Sequence, residues 1–314
     1  MPRVLEPGQI EALGQRAAPR IRLPERYGPF ASRAQRLREL AHSGAPGQAI
    51  GGYLQLMAAV ADAQAQLLET FEAPLPDATQ LERSHRHRMP PVPAAGWQPA
   101  GAWRELVQRL CSAVTTSADV PDAARSTLQR LFASAERELA PQIERILGAR
   151  HDTVDIAAAP FLMAALQVRW AAIASQLTPD DAPALEVPGV CPVCGTPPLA
   201  SIVRTDERSQ GHRYLHCALC ATEWHMVRIK CSHCLSTEGI AYHVIADHPD
   251  AIRAESCDSC HSYRKILYQE KDRRVDAVAD DLASIALDLL MADAGFQRAS
   301  GNPFLWHAAD VAPR

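Results

Sequence analysis

Four short stretches decide how this chain is read: Cys191-Pro192-Val193-Cys194, Cys217-Ala218-Leu219-Cys220, Cys231-Ser232-His233-Cys234 and Cys257-Asp258-Ser259-Cys260. The third begins 40 residues after the first and the fourth 40 after the second, while 26 residues separate the two turns of each half. A duplicated unit explains that regularity, and a duplicated unit implies a duplicated task. A Cys-x-x-Cys turn points two sulfurs to one side and surrounds them with backbone N–H groups that offset thiolate charge. Two such turns complete a tetrahedron of sulfur, the geometry of structural zinc and of four-thiolate iron.

Eight of the nine cysteines lie in these pairs. A disulfide framework would suit the number, but Met1 to Ala12 lack the apolar core of an export signal, and metal binding is the better reading. A thioredoxin-like redox motif would need a βαβ setting, which the surrounding pattern does not provide. The candidate ligands are therefore Cys191, Cys194, Cys217 and Cys220 for one ion and Cys231, Cys234, Cys257 and Cys260 for a second. Consecutive pairing makes each repeat self-contained; a cross-braced pairing of first with third and second with fourth turns stays open. Gly195 follows the first turn, where a left-handed backbone is often needed, but Ala221, Leu235 and His261 hold the matching places, so the glycine signature is incomplete.

Between the turns the pattern predicts short strands over 200–204, 213–216 and 223–229, then 240–245, 252–255 and 263–268. These are small β modules of rubredoxin or zinc-ribbon type. Too little apolar surface is available to fold either one alone, so a bound metal should supply most of the stability, of order ~10 kcal/mol for structural zinc. His212, His216, His225, His233, His243, His248 and His261 crowd the region and read as surface or supporting residues, since eight thiols already form two full sets. Tyr214 and Trp224 either cover the first site or belong to a partner-binding patch. Four-sulfur closure leaves no open position for hydrolytic chemistry.

Upstream, apolar residues recur at intervals of three and four, predicting helices over 29–41, 48–70, 102–116, 123–134, 136–147 and 153–177, with Pro160 either kinking the last or marking its start. Cys111 falls in an apolar helical face and reads as a buried, inert thiol. Proline and polar residues over 73–101 predict a connection that runs over the surface or stays mobile, and its basic run Arg83 to Arg88, with His85 and His87, reads as a solvated loop. A second Pro-bearing break near 178–188 leads into the cysteine region. Downstream, Val275, Val278, Leu282, Ile285, Ala286, Leu289 and Leu290 mark one stripe of a helix ending at Gly295. The expected architecture is α+β and multidomain. An all-α domain spans 1–185, the first four-cysteine module 186–229, and the second module with the C-terminal helix 230–314.

A net charge of −4 and a pI near 6.3 argue against a whole-molecule grip on nucleic acid or acidic lipid. Residues 187–275 hold 11 Lys and Arg against 10 Asp and Glu, which is no basic stripe for a zinc-ribbon nucleic-acid binder. No run is long and apolar enough for a membrane-spanning helix. A cytoplasmic location without membrane insertion is therefore expected, and no nucleotide loop, catalytic triad or carboxylate pair suggests an enzyme.

Cys191 to Gly195, the run Leu215-His-Cys-Ala-Leu-Cys-Ala-Thr-Glu-Trp-His225, and Ile229-Lys-Cys-Ser-His-Cys234 together resemble the formate dehydrogenase accessory proteins called FdhE. The resemblance extends to Arg36-Leu-Arg-Glu-Leu40, Gly52-Tyr-Leu54, Ala61-Asp-Ala-Gln64 and Gly301-Asn-Pro-Phe304. It implies a cytoplasmic factor that contacts the catalytic subunit of a respiratory formate dehydrogenase before export and supports its maturation. It also implies rubredoxin-like centres in the eight matching cysteines, which favours iron over zinc. A rubredoxin-like electron-transfer protein is the alternative, and a zinc-ribbon nucleic-acid binder a further one.

Overall fold

The computed structural model describes residues 18–26, 28–42, 50–99, 102–118, 120–148, 154–246 and 250–306. The N-terminal part is helical: α1 Pro29–Ala41, α2 Gly51–Thr70, α3 Ala78–His87, α4 Trp103–Thr115, α5 Asp122–Ala133, α6 Glu136–Leu147 and α7 Ala159–Ala174. Pro29 opens α1, where its missing N–H costs nothing, and Phe30, Arg33, Ala34 and Leu37 turn one face inward. α2 lies against α1, and a Cβ at Gly51 would stand 3.1 Å from the Ala41 carbonyl oxygen, so glycine permits the approach. α7 is buried over most of its length, Gln167 included, and forms the centre of the helical core, with Trp170 its largest buried side chain. Its start is set by Pro160 in the first turn, six residues later than the expected position 153, which itself lies outside the described residues.

The expected loop carrying the basic run is corrected to a helix, α3. The Asp77 carboxylate accepts from the Gln80 backbone N–H at 2.8 Å and the Gln80 side chain accepts from the Asp77 N–H at 2.9 Å, a reciprocal cap that starts it. The side chains of Arg83, His85, Arg86, His87 and Arg88 remain in solvent.

Eight strands form one sheet: β1 Ile21–Arg22, β2 Pro198–Val203, β3 Arg213–Cys217, β4 Glu223–His225, β5 Ile240–His243, β6 Ile252–Cys257, β7 Ser262–Tyr268 and β8 Gln297–Arg298. The order is β1-β4-β3-β2-β7-β6-β5, with β8 on β7. Each repeat contributes an antiparallel set, and the two sets join where β2 runs parallel to β7, Ser201 opposite Ile266 and Val203 opposite Tyr268. All six residues of β2 are buried, as expected of a central strand covered on both faces. A buried ion pair reinforces the seam: Arg213 on β3 donates to Glu255 on β6 at 2.6 Å. The modules thus share one sheet, and the first shares the helical core, since Trp170, Ala174, Cys194 and Leu219 belong to the same apolar cluster.

The C-terminal helix is corrected to two, α8 Ala279–Ala283 and α9 Ile285–Asp293. Lys265 on β7 is fully buried and donates to the carbonyl oxygens of Asp281 and Ser284 at 2.8 and 3.0 Å and to the Asp288 carboxylate at 2.7 Å. Carbonyls drawn to that ammonium do not serve a continuous helix, and the apolar register resets at the break. Val275, Val278 and Leu282 are buried as the stripe predicts, but beyond Ser284 the inward residues are Leu287 and Met291, while Leu289 and Leu290 are 64% and 51% exposed. Arg36 on α1 grips Asp280 through Nε and Nη2, Tyr53 on α2 donates to the Phe304 carbonyl, and Asn302 donates to the Val278 carbonyl. Several residues that carry the family resemblance outside the cysteines therefore clamp the helical part to the C-terminal segment.

Candidate metal centres

The eight cysteines of the Cys-x-x-Cys turns gather into two quartets, Cys191, Cys194, Cys217, Cys220 and Cys231, Cys234, Cys257, Cys260, each with all sulfurs within 4.8 Å of one another. Grouping is by repeat, consecutive rather than cross-braced. The pairing inside each quartet is the same: Cys191 meets Cys220 at 3.5 Å and Cys194 meets Cys217 at 3.4 Å, then Cys231 meets Cys260 at 3.8 Å and Cys234 meets Cys257 at 3.6 Å. Sulfurs placed tetrahedrally about an ion at about 2.3 Å stand roughly 3.8 Å apart, whereas a disulfide would bring them to about 2.05 Å. All nine cysteines are free. Each quartet fits one four-coordinate soft ion, zinc or iron. Burial pushes the Cys191 and Cys220 thiols well up, so four thiolates would persist there together only around a cation.

All four turns have one backbone shape in spite of the incomplete glycine signature. Gly195, Ala221, Leu235 and His261 have φ of 78°, 59°, 66° and 51°. The first three each donate their N–H to the first cysteine of their turn, at 2.9, 3.1 and 3.1 Å. The strain of roughly 1 kcal/mol at each non-glycine position is offset by the sulfur geometry it creates. Backbone N–H groups reach sulfur, among them Cys220 to Cys217 at 3.4 Å and His233 to Cys231 at 3.3 Å, with Ser236 reaching Cys234 and Ser262 reaching Cys260.

Sequence reasoning missed the hydroxyls. Two residues after the second cysteine of each turn stands Thr196, Thr222, Ser236 or Ser262, a repeat as regular as that of the cysteines. Thr196 Oγ1 lies 3.1 Å from Cys194 and 3.0 Å from Cys217, Thr222 Oγ1 3.1 Å from Cys220, and Ser262 Oγ 3.0 Å from Cys260. Ser236 differs: its hydroxyl contacts Ser259 at 3.0 Å instead.

Family models described as FdhE N-terminal, FdhE central domain and FdhE C-terminal domain match residues 18–186, 190–228 and 229–305 in turn. The chain belongs to the FdhE family. It is 38% identical to the FdhE homolog of Cronobacter sakazakii, covering 97% of each chain. It is 40% identical to that of Pectobacterium carotovorum, covering 90% of this chain and 89% of the relative. The crystal structure of the FdhE protein from Pseudomonas aeruginosa superposes with a TM-score of 0.80 at 37% identity, over 92% of this chain and 99% of that one.

In this FdhE-family chain the helical part holds the first quartet from two sides. Val92 and Ala94, in the stretch expected to be a surface or mobile connection, donate their N–H groups to the carbonyls of Val193 and Cys194 at 3.0 and 2.9 Å. On α7, Gln167 donates to the Ala218 carbonyl at 2.6 Å and accepts from Gln64 on α2 at 2.7 Å. Tyr214 and Trp224 are buried and present no patch: Trp224 lies in the apolar cluster that holds the first quartet, its indole N–H donating to the Pro188 carbonyl at 2.8 Å, whereas the Tyr214 hydroxyl donates to the Pro19 carbonyl at 3.0 Å. Among the described residues no histidine joins either quartet; His248 lies outside them. Cys111 is buried away from both, its thiol pushed up to about 12 by burial. No helix of the described residues is long and apolar enough to cross a membrane.

Glu223 on β4 is a buried carboxylate with three cationic or ring partners. It accepts from Arg204 Nε at 3.0 Å and His216 Nδ1 at 3.2 Å, and Arg22 Nε stands 3.3 Å away. Burial alone would raise its pKa, but Arg204 first and His216 next hold it down to about 2. A depressed carboxyl contributes stability that is complete above its ordinary value of 4.5 and is lost as pH falls through about 2. The shift corresponds to about 3 kcal/mol. Urea unfolding of the full chain is expected to show this loss between about pH 4.5 and 2, and the Glu223→Gln chain should be less stable at neutral pH and less sensitive across that window.

Proposed function

We propose that this FdhE-family protein is a non-enzymatic assembly factor that binds the catalytic subunit of a respiratory formate dehydrogenase in the cytoplasm and supports its maturation before export. The eight cysteines serve as ligands to two ions, the first holding the β region to the helical part and the second shaping the surface offered to the partner. One observation carries the docking side of this reading: the second repeat ends the sheet. Among the described residues β5 is an edge strand, and Tyr242 on it and Val244 just beyond it are exposed apolar side chains. An unpaired strand edge flanked by apolar side chains suits a polypeptide partner. The test is co-purification of the catalytic subunit with the full chain, compared with the Val244→Glu chain. Reduced capture with unchanged melting is expected. Equal capture by both, or full formate dehydrogenase assembly and activity in cells lacking the protein, would contradict the proposal.

The exposure of the second quartet also favours electron transfer through iron as a second reading. Anaerobic protein that carries zinc alone and shows no reversible iron redox change rules it out.

A further inference from the structure

We infer that the two centres have opposite labilities: the first is locked, and the second is an exchange site whose ion is reached through Cys234 by an incoming thiolate or chelating ligand. This rests on the reading of the quartets as metal centres, and it assigns them different tasks.

Three independent features of the structure point the same way. All four sulfur-bearing residues of the first quartet are buried, whereas in the second Cys234 is exposed and Cys260 half-buried. Ligand exchange at a four-coordinate ion needs an approach for the entering group, and only the second quartet offers one. Hydroxyl contacts differ too. Thr196 and Thr222 between them touch three sulfurs of the first quartet, while in the second Ser262 touches Cys260 alone and Ser236 turns to Ser259. Such contacts hold a ligand's orientation and stabilise the thiolate, and Cys234 has no hydroxyl of this kind, its sulfur being reached by the Ser236 backbone N–H instead. The third feature is anchoring of the backbone. Val92, Ala94 and Gln167 pin both turns of the first quartet to the helical core. The first turn of the second is met by Arg264, which donates to the Ser232 hydroxyl at 2.7 Å.

The second quartet would hold a soft ion through its four sulfurs, and Cys234 would be the ligand an entering donor replaces, one bond to the ion formed for one broken and with no change of oxidation state. The acceptor is defined by chemistry: a soft, multidentate sulfur or nitrogen donor able to approach the sheet end that carries β5.

The experiment uses the full chain loaded anaerobically with zinc and challenged with excess EDTA, metal release being followed with time. One ion is expected to leave at least about tenfold faster than the other. Iodoacetamide added after the fast phase, followed by peptide mass spectrometry, should place label on Cys231, Cys234, Cys257 and Cys260 and spare Cys191, Cys194, Cys217 and Cys220. Release of both ions at rates within that factor, or label on the first quartet, overturns the inference. A chain that takes up no zinc fails both this inference and the metal reading beneath it, and is told apart by the ion count before EDTA is added.

Discussion

Removing the first quartet's ligands is expected to collapse the β region of this protein, whereas the same change in the second quartet should leave the rest of the molecule folded. The Cys191→Ser/Cys194→Ser chain loses the ion that fixes two turns inside the main apolar cluster, beside Val193, Leu199, Leu215 and Leu219. Structural zinc contributes on the order of 10 kcal/mol in small modules, more than any single side-chain contact there supplies. The damage should spread, because Ala218 anchors Gln167 and, through it, Gln64 on α2. In the Cys231→Ser/Cys234→Ser chain the second module should loosen while α1 to α7 and the first repeat persist, since Cys231, Cys234, Cys257 and Cys260 lie outside that cluster. Circular dichroism melting and limited proteolysis distinguish the two outcomes. Equal damage from both variants would contradict the unequal roles.

The second large effect is expected at Lys265. Its ammonium lies between Asp288 at 2.7 Å and Asp281 at 3.5 Å, and Asp281 has no exposed surface. Lys265→Met leaves the Asp281 carboxylate with Arg298 and Asn302 and the Ser284 carbonyl with the Leu287 N–H in place of two donors. Breaking a buried pair by removing one partner costs about 3–5 kcal/mol, and that is the expected fall in unfolding free energy in urea. A parallel pair of substitutions checks the register of α9. Leu287→Ala should cost about 2–5 kcal/mol as a buried truncation, and Leu289→Ala under about 0.5 kcal/mol as an exposed one. A single unbroken stripe from Val275 to Leu290 would make Leu289 the costly position.

Much of this was legible in the residues. Cysteine spacing picks out the eight cysteines and favours the consecutive grouping without excluding the cross-braced one, because a repeat of 26 and 40 residues survives whatever lies between. The helices over Pro29–Ala41 and Glu136–Leu147 lie where the apolar spacing of three and four puts them. What was hidden is mostly non-local. β1 and β8 have two residues each, too few to show any alternation, and the parallel seam joins Ser201 to Ile266 across 65 positions with no local mark. The break at Ser284 depends on Lys265, an ammonium from another element, and no helical pattern contains it. The reciprocal cap at Asp77 and Gln80 was present in the residues and was masked by the prolines around it. The four hydroxyls after the turns were also there to be found, since Thr or Ser recurs at the same offset four times. A repeat search limited to cysteine passes over them.

Local shape also overrode local propensity at the turns. Ala221, Leu235 and His261 adopt a conformation that glycine takes without cost, and they do so where four sulfurs must meet. The departure from the glycine pattern left the quartets unchanged, because the geometry is set by the convergence of two turns and not by one residue's freedom.

Metal-edge X-ray absorption on anaerobically purified full-length protein, with the ion count taken on the same sample, addresses the central claim most directly. The structure predicts two ions per chain, each in a shell of four sulfurs at about 2.3 Å. A shell of nitrogen or oxygen donors, or cysteines recovered as disulfides from metal-replete reducing conditions, would contradict it.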